Sequence, residues 1–347
     1  MIINRVVPLR RVIRLSLVPL VILTCWSLAA VLIFHFTHAS RWVDIPWLPV
    51  SLVGTAVAFY VGFKNNSAYD RMWEARKIWG AIVNSSRAWG IGARSFITNH
   101  VQGKTNLSAD ELAEIHKRLI HRHIAWTYAL RSQLLVTKSW EHASQPGLTG
   151  KNARYYQKQF GIGLVDDEVT REELKEFLCN EEFDECLSFQ NSATQIIASQ
   201  AADLQELSSR HLIDDFRHVS LQKLLNELYD HQGKAERIKN YPLPRQYANV
   251  SSIFVKIFII LMPFGMASEF SEIGEYGIWL SIPFSVLVGW VFTMMETVGD
   301  YSENPFQGMA NDIPMLSICR TIEIDLREML RESHIPAPIQ PKNGVLM

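Results

Sequence analysis

The stretch "GFKNNSAYDRMWEARKIWG", residues 62–80, begins as membrane-grade apolar sequence and within two residues becomes charged and tryptophan-bearing, with no proline to break a helix. Beyond Phe63, the residues Ala68, Met72, Ala75, Trp79, Ile82, Ser86 and Trp89 recur at spacings of four and three, the stripe of an amphipathic helix. Glu74 has Arg71 and Lys77 three residues to either side, within salt-bridge reach on the wetter face. The pattern predicts one helix built for two solvents, leaving a bilayer without stopping.

Working outward, the chain of 347 residues is nearly half hydrophobic, with the apolar residues concentrated towards its two ends. Leu15 to Phe34 carries no charge and follows Arg5, Arg10, Arg11 and Arg14. At about 1.5 Å per residue it spans a hydrocarbon core of roughly 30 Å. A secretory signal peptide is the rival reading, because "THAS" resembles a cleavage site, but the run exceeds the usual signal core of about 7 to 15 residues. Ile45 to Phe63 is the second run, its Pro46 and Pro49 lying near the start, where a helix tolerates them. Val250 to Ser268 is the third, with Lys256 placed to snorkel, and Tyr276 to Met295 is the fourth. "THASRWVD" has only Arg41, and "EFSEIGEYG" has three glutamates and no basic residue, which puts both termini in the cytoplasm.

Between the second and third runs lies a charged, helix-patterned region with no period-two strand series, so the fold class is all-α: four transmembrane helices and a helical cytosolic domain. The expected divisions are 1–97, 98–249, 250–297 and 298–347. A second amphipathic stretch covers "ADELAEIHKRLIHRHIAWTYALRSQLL" and a third covers "ASQAADLQELSSRHLIDDFRHVSLQKLLNELYDHQGKAERI". "SQPGLTGKNA" reads as a surface loop, "NYPLPRQYA" ends the long helix, and "ESHIPAPIQPKNGVLM" reads as an extended or disordered tail. Cys25, Cys179, Cys186 and Cys319 are scattered and read as free thiols. A net charge of −1 and the lack of a long basic block give no case for nucleic acid.

The motifs weigh against catalysis. His116, His121 and His123 fall on different helical faces and read as a surface cluster rather than metal ligands. "GIGLVDD" lacks the third glycine and preceding strand of a dinucleotide loop, and there is no P-loop, GxSxG or HExxH. In the second span, Thr55, Phe59 and Phe63 form a stripe at steps of four, flanked by the small residues Gly54, Ala56, Ala58 and Gly62. Periodicity alone also allows this stripe to face lipid or a monomer's core. Its continuation into charged helix favours a conduit that both compartments share. In "DDFRHV", Phe216 stands among Asp214, Asp215, Arg217 and His218; a phenylalanine so flanked is usually a single core contact with solvated neighbours, but it would make an apolar ring beside charged rings if copies met around an axis. After the fourth span, Glu296, Asp300 and Glu303 share a helical side before an Asn304–Pro305 turn.

"GFKNNSAYDRMWEARKIWG" and "ENPFQGMANDIPM" resemble the two signature regions of the bestrophin family, particularly its bacterial branch. "ERIKNYPLPRQYA", "TIEIDLREML" and the four-span layout extend the resemblance over most of the chain, with residues 100 to 190 matching least. The resemblance implies a homopentameric ion channel rather than an enzyme, in a bacterial inner membrane. The pore neck then falls on Thr55, Phe59 and Phe63, and the cytosolic aperture on Phe216 with Asp215 beside it. Its partners are further copies of itself, the lipid bilayer and small inorganic ions, and no cofactor is implied. Thr55 departs from the usual apolar neck residue. The family's calcium clasp leaves Asn304 and Asp312 as a remnant, with Met309 and Tyr301 replacing expected oxygen ligands. The ion is expected to be a small monovalent cation by a slight margin, with chloride conduction by the same architecture as the alternative and a membrane-anchored scaffold or sensor as the reading from another class.

Overall fold

The computed structural model describes residues 1–5, 9–37, 45–99, 107–160, 174–274 and 276–347. Arg41, Glu275 and the segment "GIGLVDD", all used above, lie outside them, as do the side chains of Arg10, Arg11 and Arg14. The named helices are α1 (Leu9–Thr37), α2 (Trp47–Phe96), α3 (Ala109–Leu135), α4 (Gly147–Phe160), α5 (Asn180–Ser188), α6 (Ser192–Ser209), α7 (Asp215–Asn240), α8 (Arg245–Ser271), α9 (Gly277–Ser302) and α10 (Met315–Leu330). Among the described residues there is no strand; isolated bridges join Ile2 to Val345 and Lys342 to Val345. The fold is all-α, and α1, α2, α8 and α9 are long and apolar enough to cross a membrane.

The chain divides into two compact units, one of Asn4–Arg71 with Pro242–Asn304, the other of Met1–Ile3, Met72–Tyr241 and Pro305–Met347. In the first, α8 and α9 pack together and α1 lies against both. Val50, Val57, Val61, Val255, Phe258 and Met262 form one of its apolar clusters. Gly54 makes this packing possible: a Cβ there would stand 2.6 Å from the Phe258 ring. The buried charges of this unit are paired internally, as a low-dielectric surrounding favours. Lys64, almost wholly buried, pairs with Glu296 at 2.6 Å, and the Ser251 hydroxyl donates to the other carboxylate oxygen at 2.7 Å. Arg245 reaches the buried Glu303 at 2.8 Å.

The second unit is built around α3. Ser108 and Glu111 cap its start reciprocally, the Glu111 amide donating to the Ser108 hydroxyl and the Ser108 amide donating to the Glu111 carboxylate at 2.7 Å. From Leu119 onward it is buried on nearly every side, against α6, α7 and α10. The amphipathic expectation holds for the first turns, where Asp110, Glu111, Glu114 and Lys117 are exposed, and fails from Leu119 onward, where the helix is central and has no wet face. Buried Arg122 pairs with Glu182 and Asp203.

The predicted stripe beyond Phe63 holds. Ala68, Ala75, Trp79, Ile82, Ser86 and Trp89 are fully buried, and Met72 partly so, on a helix of 50 residues whose length of about 75 Å is more than twice a hydrocarbon core. Glu74 pairs with Arg237 on α7 at 2.6 Å rather than within its own helix. The surface reading of the histidines is wrong for His123, which is fully buried. Its Nε2 lies 2.9 Å from the Ser86 hydroxyl and its ring stacks on Trp126. Half-buried His116 bonds the Ile97 carbonyl at 3.0 Å, and His121 pairs with Glu332 at 2.5 Å.

Three other differences follow from local chemistry. The loop near residue 144 is short, because a 3₁₀ turn over His142–Ser144 leads directly into α4 at Gly147. The third amphipathic stretch is broken after Ser209: His211 takes a positive φ of 56° and Asp214 recaps the chain by accepting the Arg217 amide at 2.9 Å. The proline-rich tail is extended and docked, with Val345 buried and the Ser317 amide donating to the Met347 carbonyl at 2.7 Å.

Candidate functional site

In the unit of Asn4–Arg71 and Pro242–Asn304, one face of α2 borders an open groove of about 640 Å³. Its lining is Thr55, Ala58, Phe59, Gly62, Phe63 and Asn66, residues three and four apart and therefore stacked along one side of the helix. Phe59 and Phe63 are 67% and 65% exposed, whereas Val57, Val61 and Lys64 on the other side are buried. The three residues read from spacing thus stand together. Thr55 departs less from an apolar wall than its hydroxyl implies, because that hydroxyl donates to the Ser51 carbonyl at 3.0 Å. Ala58 and Asn66 belong to the same lining, and the spacing that marks Phe59 and Phe63 reaches Asn66 one step later.

In the other unit, the break between α6 and α7 puts Asp215 and Phe216 on the first turn of α7. Phe216 is 88% exposed, the highest exposure of any large apolar side chain among the described residues. Asp215 is exposed and, among the described residues, has no ion-pair partner. The two charges that compete with it are spent on each other: Arg217 lies 3.1 Å from Asp214.

The remnant carboxylates and amide have partners of their own. Asp312 is buried; one of its oxygens accepts the Phe306 and Ile313 amides at 3.0 and 2.7 Å, the other the Gly308 amide at 2.9 Å. Burial pushes its carboxyl up, and these three donors oppose that shift. Lys239, also buried, pairs with Glu141 and donates to the Phe306 carbonyl at 3.2 Å. Burial drives the Lys239 ammonium down and the Glu141 carboxyl up, each opposed by the other's charge. In the first unit, the Asn304 amide donates to Glu303 at 3.1 Å. Among the described residues, no group of three histidine, cysteine, aspartate or glutamate side chains is arranged to hold a metal ion.

Residues 4–328 match the bacterial/fungal bestrophin family. The chain belongs to that family. Among curated relatives, it is 27% identical over 306 residues to the voltage-dependent anion channel-forming protein YneE of Escherichia coli K12, covering 88% of this chain and 83% of that one. It is 26% identical over 312 residues to the voltage-dependent anion channel-forming protein RSc3414 of Ralstonia nicotianae, covering 87% and 86%. Among solved structures, a bacterial bestrophin homolog from Klebsiella pneumoniae superposes with a TM-score of 0.71 at 21% identity, over 91% of this chain and 98% of that one. That likeness is one of fold.

Proposed function

We propose that this bestrophin is a subunit of a homopentameric ion channel in a bacterial inner membrane, with both termini cytoplasmic and with α2 of each copy lining a shared passage. The groove of Thr55, Phe59, Phe63 and Asn66 carries the reading: its phenyl rings are exposed on a helix whose opposite face is packed. One such helix cannot enclose a pore, so closed symmetry must supply the rest. Five copies of Phe59 and Phe63 would offer few polar groups to replace an ion's hydration shell, making the neck an apolar barrier. The Phe216 ring serves as a second constriction.

The conducted ion is an anion, a reading supported by the names of the curated relatives. Asp215 favours the second reading, monovalent cations, because it stands exposed beside Phe216 while Arg217 is turned to Asp214. Calcium has no part in either reading: backbone amides occupy both oxygens of Asp312, and a lysine ammonium already neutralises its surroundings.

Purified protein in planar bilayers under a KCl gradient tests this. Unitary currents reversing towards the chloride equilibrium potential are expected, and reversal towards potassium moves the assignment to cations. Silent bilayers with a co-purifying partner would establish the scaffold reading instead.

A further inference from the structure

Eight charged residues lie on α2, and six are engaged by the chain. Lys64 pairs with Glu296, Glu74 with Arg237 at 2.6 Å, and Arg87 with Asp325 at 2.7 Å. Arg71 donates to the Glu303 carbonyl at 3.0 Å, Arg94 donates to the Met329 carbonyl, and Arg76 lies over the Trp73 ring. Asp70 and Lys77 differ. Both are exposed, and among the described residues neither has an ion-pair partner; Asp70 receives only the Asn66 side-chain amide, at 3.4 Å.

Their position on the helix is not arbitrary. Lys77 follows Phe59 by eighteen residues, which at about 3.6 residues per turn is a whole number of turns and returns it to the same side of α2. Asp70 follows Phe63 by seven residues, two turns within roughly 20°. The two charges that engage no ion partner, carbonyl or ring thus both lie on the face that carries the phenyl rings; Glu74, eleven residues after Phe63, shares that face but is paired with Arg237. Lys64, the one buried charge of the eight, is paired because burying it alone is costly, whereas the other engaged charges lie where neighbouring groups of the chain reach them. A charge facing water has no such need.

We propose, resting on the channel reading above, that Asp70 and Lys77 form two oppositely charged rings in series along the passage and set its charge preference. They are two turns apart, about 10 Å along the axis, comparable with the Debye length at about 0.1 M salt, so each ring acts on passing ions as a separate station. The Asp70 ring concentrates cations and the Lys77 ring concentrates anions. Selectivity is then a balance between the two rings.

The test uses the full chain in planar bilayers under a KCl gradient, with Lys77→Gln, Asp70→Asn and the double variant. Neither side chain packs against the core, so all three should melt with the wild type. Lys77→Gln is expected to shift the reversal potential towards potassium equilibrium and Asp70→Asn towards chloride equilibrium. The double variant should lie between them, and both shifts should shrink as salt is raised towards 1 M. Unchanged reversal potentials in conducting single variants, or shifts of the same sign, overturn the proposal while leaving the channel reading intact. Variants that fold but fail to assemble as the wild type does would place these residues at a subunit contact and likewise overturn it. A silent wild type removes the channel reading itself, and the rings with it.

Discussion

His123 carries the clearest pH dependence at the level of single residues. Burial drives its imidazole down to about 3, and neither Trp89 nor Trp126, which flank the ring, supplies a counter-charge. The folded protein keeps this ring neutral, whereas the unfolded chain protonates it near 6.5. Below that value the unfolded state binds more protons, so the stability supplied by the neutral ring is present above 6.5 and is lost as pH falls towards 3. The loss amounts to at most about 1.4 kcal/mol per pH unit. Thermal melts of the detergent-solubilised protein between pH 7.5 and 5 should fall more steeply for wild type than for His123→Gln. Parallel slopes would mean that the ring finds a proton without leaving its pocket. The difference between the two proteins isolates His123 from His116 and His231, which burial shifts in the same direction.

At the scale of elements, α2 and α8 meet where Gly54 faces Phe258. Gly54→Val would drive a branched side chain into that ring, and overpacking of this kind costs on the order of 1–3 kcal/mol. The expected result is a lower melting temperature, partly recovered by Phe258→Leu in the same chain. Gly62 is the control: a Cβ there meets nothing within 4 Å, so Gly62→Ala should not lower the melt. The break between α6 and α7 matters for another reason. Capping by Asp214 starts a new helix one residue before Phe216, which explains why a large apolar side chain projects from a helix start instead of joining the core.

For the whole molecule, closing α2 helices around one passage, as proposed above, would make a barrier of phenyl rings. Phe59→Ala and Phe63→Ala should each raise open probability or unitary conductance, because a wider, better hydrated neck removes the dewetting cost. Mass measurement in mild detergent should give the pentamer for wild type and both variants. Wild-type gating and conductance in both variants would show that the rings face lipid.

What the sequence determined alone was everything that periodicity and composition encode. Four apolar runs, the unbroken helix through residues 62–80 and its buried stripe, and the Thr55–Phe59–Phe63 face all follow from spacing, since a helix repeats every 3.6 residues whatever surrounds it, whereas the exposure of Phe216 depends on the break before α7. Tertiary structure decided which charges are spent. Nothing in the spacing of Glu74 says that it prefers Arg237, more than 160 residues away, to its own neighbours, and nothing in "HKRLIHRH" says that its last histidine is buried against tryptophans. Those choices depend on which helices surround α3 and on the low dielectric they create, where a polar group must find a partner across the fold or lose its charge. The same pairing across the fold gives Lys64, Glu74 and Arg87 their counter-ions and leaves Asp70 and Lys77 with none among the described residues, a property no local pattern reveals because it is defined by what distant segments supply.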